Sequence, residues 1–65
     1  MDKPKCKLIG EDGNIFNLIG IASRTLKKNG HVMQANEMTR RIMQDGEAKS
    51  YDEALAIIME YVDVY

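Results

Sequence analysis

One cysteine, one histidine, one proline and no apolar run of membrane-spanning length set the first limits on this chain. Cys6 alone cannot close an intramolecular disulfide or form a thiolate metal cage, which excludes the usual small secreted scaffold. A thiol on a short apolar segment reads as a small buried hydrophobe rather than a nucleophile. His31 has no second imidazole to work with. A catalytic histidine needs a nucleophile, an orienting group or a metal within reach, and none stands at a recognisable spacing. The stretch from Ile15 to Ala22 is interrupted by polar and glycine positions and falls far short of the roughly 18 residues a membrane span requires. Met1 to Lys7 is basic, but no long apolar segment and cleavage site follow, so it does not read as a signal peptide. The expected location is the cytoplasm.

What is present fits one small domain. Sixty-five residues leave a thin core, because a chain of this size buries only roughly 60% of its extended surface. The hydrophobic content of 45% is nevertheless too high for a compositionally disordered chain. A formal net charge of −1 conceals an uneven distribution. Arg24, Lys27, Lys28, Arg40 and Arg41 face only Glu37 between residues 24 and 41. From Asp45 onward Asp45, Glu47, Asp52, Glu53, Glu60 and Asp63 face only Lys49. Such a division can hold two parts of one domain together, steer partners, or orient subunits head to tail.

Apolar spacing and caps predict a mainly α, three-helix domain over residues 1–65, with an N-terminal extended segment or short strand. The helices are expected at about 15–28, 32–44 and 51–62. In the segment Cys6 to Ile9, Cys6 and Leu8 can face a core while Lys5 and Lys7 face water. Pro4 lies outside it, where a missing N–H does no harm. Gly10 to Asn14 reads as a turn, with Asn14 the N-cap of the first helix. That helix carries Ile15, Leu18, Ile19, Ala22 and Leu26 on one face, widened by Phe16 and Ile21. Gly20 marks either a close backbone crossing or an unforced flaw. Asn29-Gly30 supplies the stop. The second helix turns Ala35, Met38 and Ile42 inward, assisted by Val32 or Met43, and Asp45-Gly46 ends it. Ser50-Tyr51-Asp52-Glu53 fits a capping box for the third, with Glu53 reaching back to the Ser50 N–H. The tail Val62 to Tyr65 has strand-like composition and can pair with Cys6 to Ile9.

Functional motifs are few. Asp52 and Glu53 are explained by capping, and Glu11-Asp12-Gly13-Asn14 lacks the ligand succession of a calcium loop. Gly10, Gly13 and Gly20 make no phosphate loop, for want of the lysine and hydroxyl residue at the helix opening. No catalytic residue, cofactor or metal site is expected, and no small-molecule substrate. Arg24, Lys27, Lys28, Arg40 and Arg41 are the candidate nucleic-acid contacts, on a helical pair with a tight turn. Glu37 on the outer side of the second helix and the absence of stacking aromatics count against that reading. Four helical methionines (Met33, Met38, Met43 and Met59) read as core filler before adaptable surface. Tyr51, Ile57, Ile58, Tyr61, Val62 and Tyr65 offer more apolar and aromatic surface than one helical face needs, which points to a protein interface.

The run Cys6-Lys7-Leu8-Ile9-Gly10-Glu11-Asp12-Gly13-Asn14-Ile15-Phe16-Asn17-Leu18, with Gly20 to Leu26 and Ser50-Tyr51-Asp52-Glu53-Ala54-Leu55, resembles short uncharacterised proteins of Firmicutes, often carried with conjugative or other mobile elements. The resemblance covers nearly the whole chain and implies a cytoplasmic accessory protein, without an activity or cofactor. Leu18, Gly20, Ala35 and the helical-hairpin layout also bear a loose likeness to a tetratricopeptide unit. The interval from Gly20 to Ala35 is longer than that repeat allows, and its other anchors are missing. The leading expectation is a non-enzymatic protein-interaction module or accessory subunit. A nucleic-acid-binding accessory protein and a structural homodimer are the alternatives.

Overall fold

Local capping and apolar spacing place three helices between two short extended segments in the computed structural model, which describes residues 3–65. The order is β1 (Lys5–Cys6), α1 (Ile15–Lys28), α2 (Val32–Met43), α3 (Tyr51–Tyr61) and β2 (Asp63–Val64). The mainly α, three-helix expectation is met. α2 and α3 each stop one residue before the expected boundary.

α1 begins where the Asn14 side chain accepts the Phe16 N–H at 2.9 Å, relieving one orphan amide of the first turn. The Asp12 carboxylate in turn accepts the Asn14 N–H at 3.0 Å. The helix ends in a Schellman motif. The Gly30 N–H donates to the Lys27 carbonyl and the His31 N–H to the Leu26 carbonyl. That closure needs the left-handed φ of 80° that Gly30 adopts. Gly20 answers to no comparable demand. A Cβ built there would meet only the Arg24 guanidinium at 3.5 Å, an ordinary contact, so no close backbone crossing accounts for it.

α3 starts as a modified capping box. The Ser50 hydroxyl accepts the Glu53 N–H at 3.2 Å, as the sequence suggests. The Glu53 carboxylate, however, accepts the N–H of Lys49 at 2.6 Å rather than that of Ser50. Ser50 is fully extended (φ −154°, ψ 169°), and the chain approaches the helix so that the preceding amide lies within reach. At the other end Lys3 Nζ donates to the Met59 carbonyl at 2.9 Å, placing a cation at a helix C-terminus that has no basic residue in its last turn.

β1 and β2 pair in parallel, with Lys5 opposite Asp63 and Cys6 opposite Val64. The pairing sits slightly N-terminal to the segment expected on the first strand. Beyond Cys6 the chain turns, and the Leu8 and Ile9 N–H groups both donate to the Tyr65 carbonyl, at 2.8 and 3.0 Å. Gly10, with φ 89°, occupies the third position of the β-turn that Leu8 and Glu11 close. Cys6 and Leu8 point inward and Lys5 and Lys7 outward, in the expected alternation.

Leu18, Ile19, Ala22 and Leu26 of α1, Ala35 and Met38 of α2, and Ile57 and Ile58 of α3 form the core with Cys6, Leu8 and Val62. Three of the expected inward residues lie on the surface instead: Phe16, Val32 and Met43. The small residues Ala22 and Ala35 are fully buried, and a compact core of this size fills before those three reach it.

Candidate functional site

The N-terminal turn of α1, the C-terminal turn of α2 and the start of α3 meet at one pole of the domain and leave an apolar groove of about 530 Å³. Ile19 and Ala54 are buried at its base, and Ile15 and Ile42 are half-buried on its sides. Phe16, Met43 and Tyr51 stand exposed around it, with Ala48, Lys49 and Ser50 of the α2–α3 linker closing the remaining side. Phe16 is 64% exposed although it follows the N-cap of a well-formed helix. Its position one residue past Ile15 turns it off the buried stripe. Tyr51 is held by its hydroxyl, which donates to the Gly13 carbonyl and ties the loop before α1 to the start of α3. An exposed aromatic, a flexible thioether and a tethered tyrosine around an apolar base have the composition of a docking surface.

Acidic side chains flank this pole. Asp45, Glu47, Asp52 and Glu53 adjoin the lining residues in the chain, and Asp12 precedes the glycine that Tyr51 grips. Asp45 pairs with Arg40 at 3.3 Å and Glu47 with Arg41 at 2.9 Å. Asp12 and Asp52 have no cationic partner among the described residues.

The residues expected at a protein interface separate. Ile57, Ile58 and Val62 are core residues, at most 6% exposed, and present no surface while the domain is folded. The surplus apolar content of α3 is absorbed because that helix packs on both α1 and α2 while β1 covers α1 nearby. Tyr51 lines the groove, and Tyr65 is exposed beside the strand pair.

Tyr61 belongs to a polar bridge between α2 and α3. Arg41 makes a two-pronged contact with Glu60, at 2.9 and 3.2 Å, and also reaches the Tyr61 hydroxyl at 3.0 Å. The Tyr61 hydroxyl donates to Glu37. Hydrogen bonding to Glu60 first, then to Tyr61 and Glu47, raises the Arg41 pKa. The Arg41 contact holds the Glu60 carboxyl below its ordinary value. Burial, and then the bond to Glu37, raise the Tyr61 phenol against the opposing pull of Arg41.

The five candidate nucleic-acid contacts also divide. Arg41 is committed to the α2–α3 bridge and half-buried, and Arg40 is engaged with Asp45. Arg24, Lys27 and Lys28 remain exposed on α1 without an ion pair among the described residues. Beside them, at the opposite pole from the groove, Met33 is 81% exposed and Val32 about half exposed. Of the four helical methionines only Met38 is buried, which corrects the core-filler expectation for Met33, Met43 and Met59.

Cys6 is buried with its sulfur accepting the Thr25 hydroxyl at 3.6 Å. Among the described residues no three histidine, cysteine, aspartate or glutamate side chains gather as a metal-binding group. No described helix is long and apolar enough to cross a membrane. No protein-family model, no curated protein and no solved structure matches the chain. The groove was not legible as a site because its members lie in three separate stretches. The signal that points to it is Phe16, an aromatic one position off an otherwise regular apolar stripe.

Proposed function

We propose that this chain is a non-enzymatic protein-interaction module or accessory subunit, acting in the cytoplasm, whose docking site is the groove bounded by Phe16, Met43 and Tyr51. The observation that carries the reading is the placement of large apolar side chains at the rim of a formed groove, in a domain whose described side chains leave no buried polar atom unpartnered. Exposed apolar side chains gathered at one concavity, rather than scattered, are a mark of interaction sites. An accessory role in a bacterial mobile element accords with the resemblance to the short Firmicutes proteins. The test is affinity capture from a lysate of the source cells, with and without nuclease, using the wild type and Phe16→Asp as parallel baits. Nuclease-resistant partners captured by the wild type and lost by the variant are expected. Identical captures from the two baits would remove the groove from the function.

A second reading, nucleic-acid binding, is favoured by one observation: Arg24, Lys27 and Lys28 stand exposed together without acidic partners among the described residues. Its expected signature is binding that weakens steeply with salt and is lost when Lys27 and Lys28 are replaced by glutamate. Binding insensitive to both would end it.

A further inference from the structure

We propose that the groove receives the opposite pole of a second copy of this chain, so that copies associate head to tail. The inference rests on reading the groove as a protein-docking site, and it names the occupant. Both halves of the contact are present on one molecule. At one pole is an apolar hollow flanked by acidic residues, with Lys49 the one cation in its lining. At the other, Met33 projects 81% exposed beside Val32, following directly on the Lys27 and Lys28 end of α1.

The two poles cannot meet within one copy. They lie at opposite ends of the same helices: ten residues of α2 separate Met33 from Met43, and twelve of α1 separate Phe16 from Lys28. At about 1.5 Å per residue these spans are about 15 and 18 Å, in a molecule whose longest extent is 27 Å. An unbranched methionine side chain suits an open apolar hollow, since it adapts its shape to the walls. Among the described residues Lys27 and Lys28 lack acidic partners, and they would arrive beside Asp12 and Asp52, which lack basic ones among the same residues. Glu37, one helical turn beyond Met33 on α2, accepts the Tyr61 hydroxyl.

The interface uses two different surfaces, so each added copy leaves one groove and one knob free. The assembly grows as an open chain unless its rotation closes a ring. The contact is small. A standard interface buries about 800 Å² per partner, close to a fifth of this molecule's 4273 Å² surface. A single knob and groove cover less, so the dissociation constant is expected on the order of 0.1–1 mM.

Sedimentation equilibrium from about 0.05 to 3 mM brackets that affinity. Two variants are compared with the wild type: Phe16→Asp, which spoils the groove, and Met33→Asp, which spoils the knob. Both positions are exposed and lie in the first turn of a helix, where an added carboxylate is tolerated by the dipole, so each variant is expected to fold. The wild type should grow beyond a dimer with concentration, and raising salt should weaken its association by about threefold or more. Each variant alone should stay monomeric. Their equimolar mixture should form a one-to-one dimer and nothing larger, through the one intact groove and the one intact knob. A wild type monomeric throughout overturns the proposal, as does Met33→Asp that still dimerises, which would mean groove against groove. If the wild type is monomeric while Phe16-dependent partner capture persists, the head-to-tail contact falls and the docking-module reading stands. Losing both removes that reading as well.

Discussion

At Gly20 and Gly30 the same substitution should have opposite effects. Gly20 lies inside α1, outside the positive-φ region, and an added methyl there meets ordinary contact. Replacing it by alanine removes backbone freedom from the unfolded chain and exploits a better helix former, so Gly20→Ala should stabilise the domain by about 0.5–1 kcal/mol. In a domain of this size about 1 kcal/mol moves the melting temperature by about 4–8 °C. Gly30 has open space around it but a φ of 80°, and the Schellman closure of α1 depends on that conformation. Gly30→Ala should therefore cost about 1 kcal/mol, through backbone strain rather than a clash. Urea denaturation of the two variants beside the wild type measures both signs. A destabilising Gly20→Ala would reveal a close approach to α1 that the geometry does not contain.

Between elements, α2 and α3 are joined on their polar side by Arg41, which reaches Glu60, Glu47 and the Tyr61 hydroxyl. The Arg41 side chain is only 20% exposed, but Glu47 and Glu60 are 42% and 54% exposed, so the bridge is screened by solvent and its contribution is modest and sensitive to salt. Its pH dependence has a definite direction. Arg41 holds the folded-state pKa of Glu60 below the ordinary 4.5, so Glu60 contributes stability above that ordinary value. That contribution is lost as pH falls through the depressed folded value. Glu60→Gln should flatten the acid side of the stability profile, measured by urea midpoints across that range, because it lowers stability at neutral pH and leaves the fully protonated acid limit nearly unchanged. An unchanged acid slope would show that Glu60 is not bound to Arg41 in solution. The elements themselves were largely legible in the sequence: Asn14, Asn29-Gly30 and Ser50 fix their boundaries through local hydrogen bonds, which depend on near neighbours alone. Which apolar residues are left outside was not legible. Ile57, Ile58 and Val62 entered the core while Phe16 and Met43 became the groove's rim, because that choice depends on how much volume three helices enclose together. Arg41, a candidate nucleic-acid contact by its charge, instead turns toward α3 because Glu47 and Glu60 converge on it there.

For the molecule as a whole, the β1–β2 pair joins the two ends of the described chain across three helices. The Asp63 N–H donates to the Pro4 carbonyl at 2.9 Å, and the Tyr65 N–H to that of Cys6 at 3.0 Å. The pair is too short to be stable alone. It persists because Cys6 and Val62, each about 1% exposed, carry its flanks into the same core that the helices share. A domain near the lower size limit for autonomous folding has no separate subdomain to fall back on, so loosening the clasp should loosen everything. Asp63→Pro removes the donor to Pro4 at an exposed position while leaving the core side chains intact. It should destabilise the fold by about 1–3 kcal/mol. Helical circular dichroism and the amide signals of the clasp should still be lost in one coincident transition. If the helices instead melt at the wild-type midpoint after the clasp signals have gone, the strand pair is an appendage on a three-helix core. Coincident loss at a lower midpoint would establish that the ends and the helices are one cooperative unit. The two poles would then be rigidly related to each other, as a repeating head-to-tail contact requires.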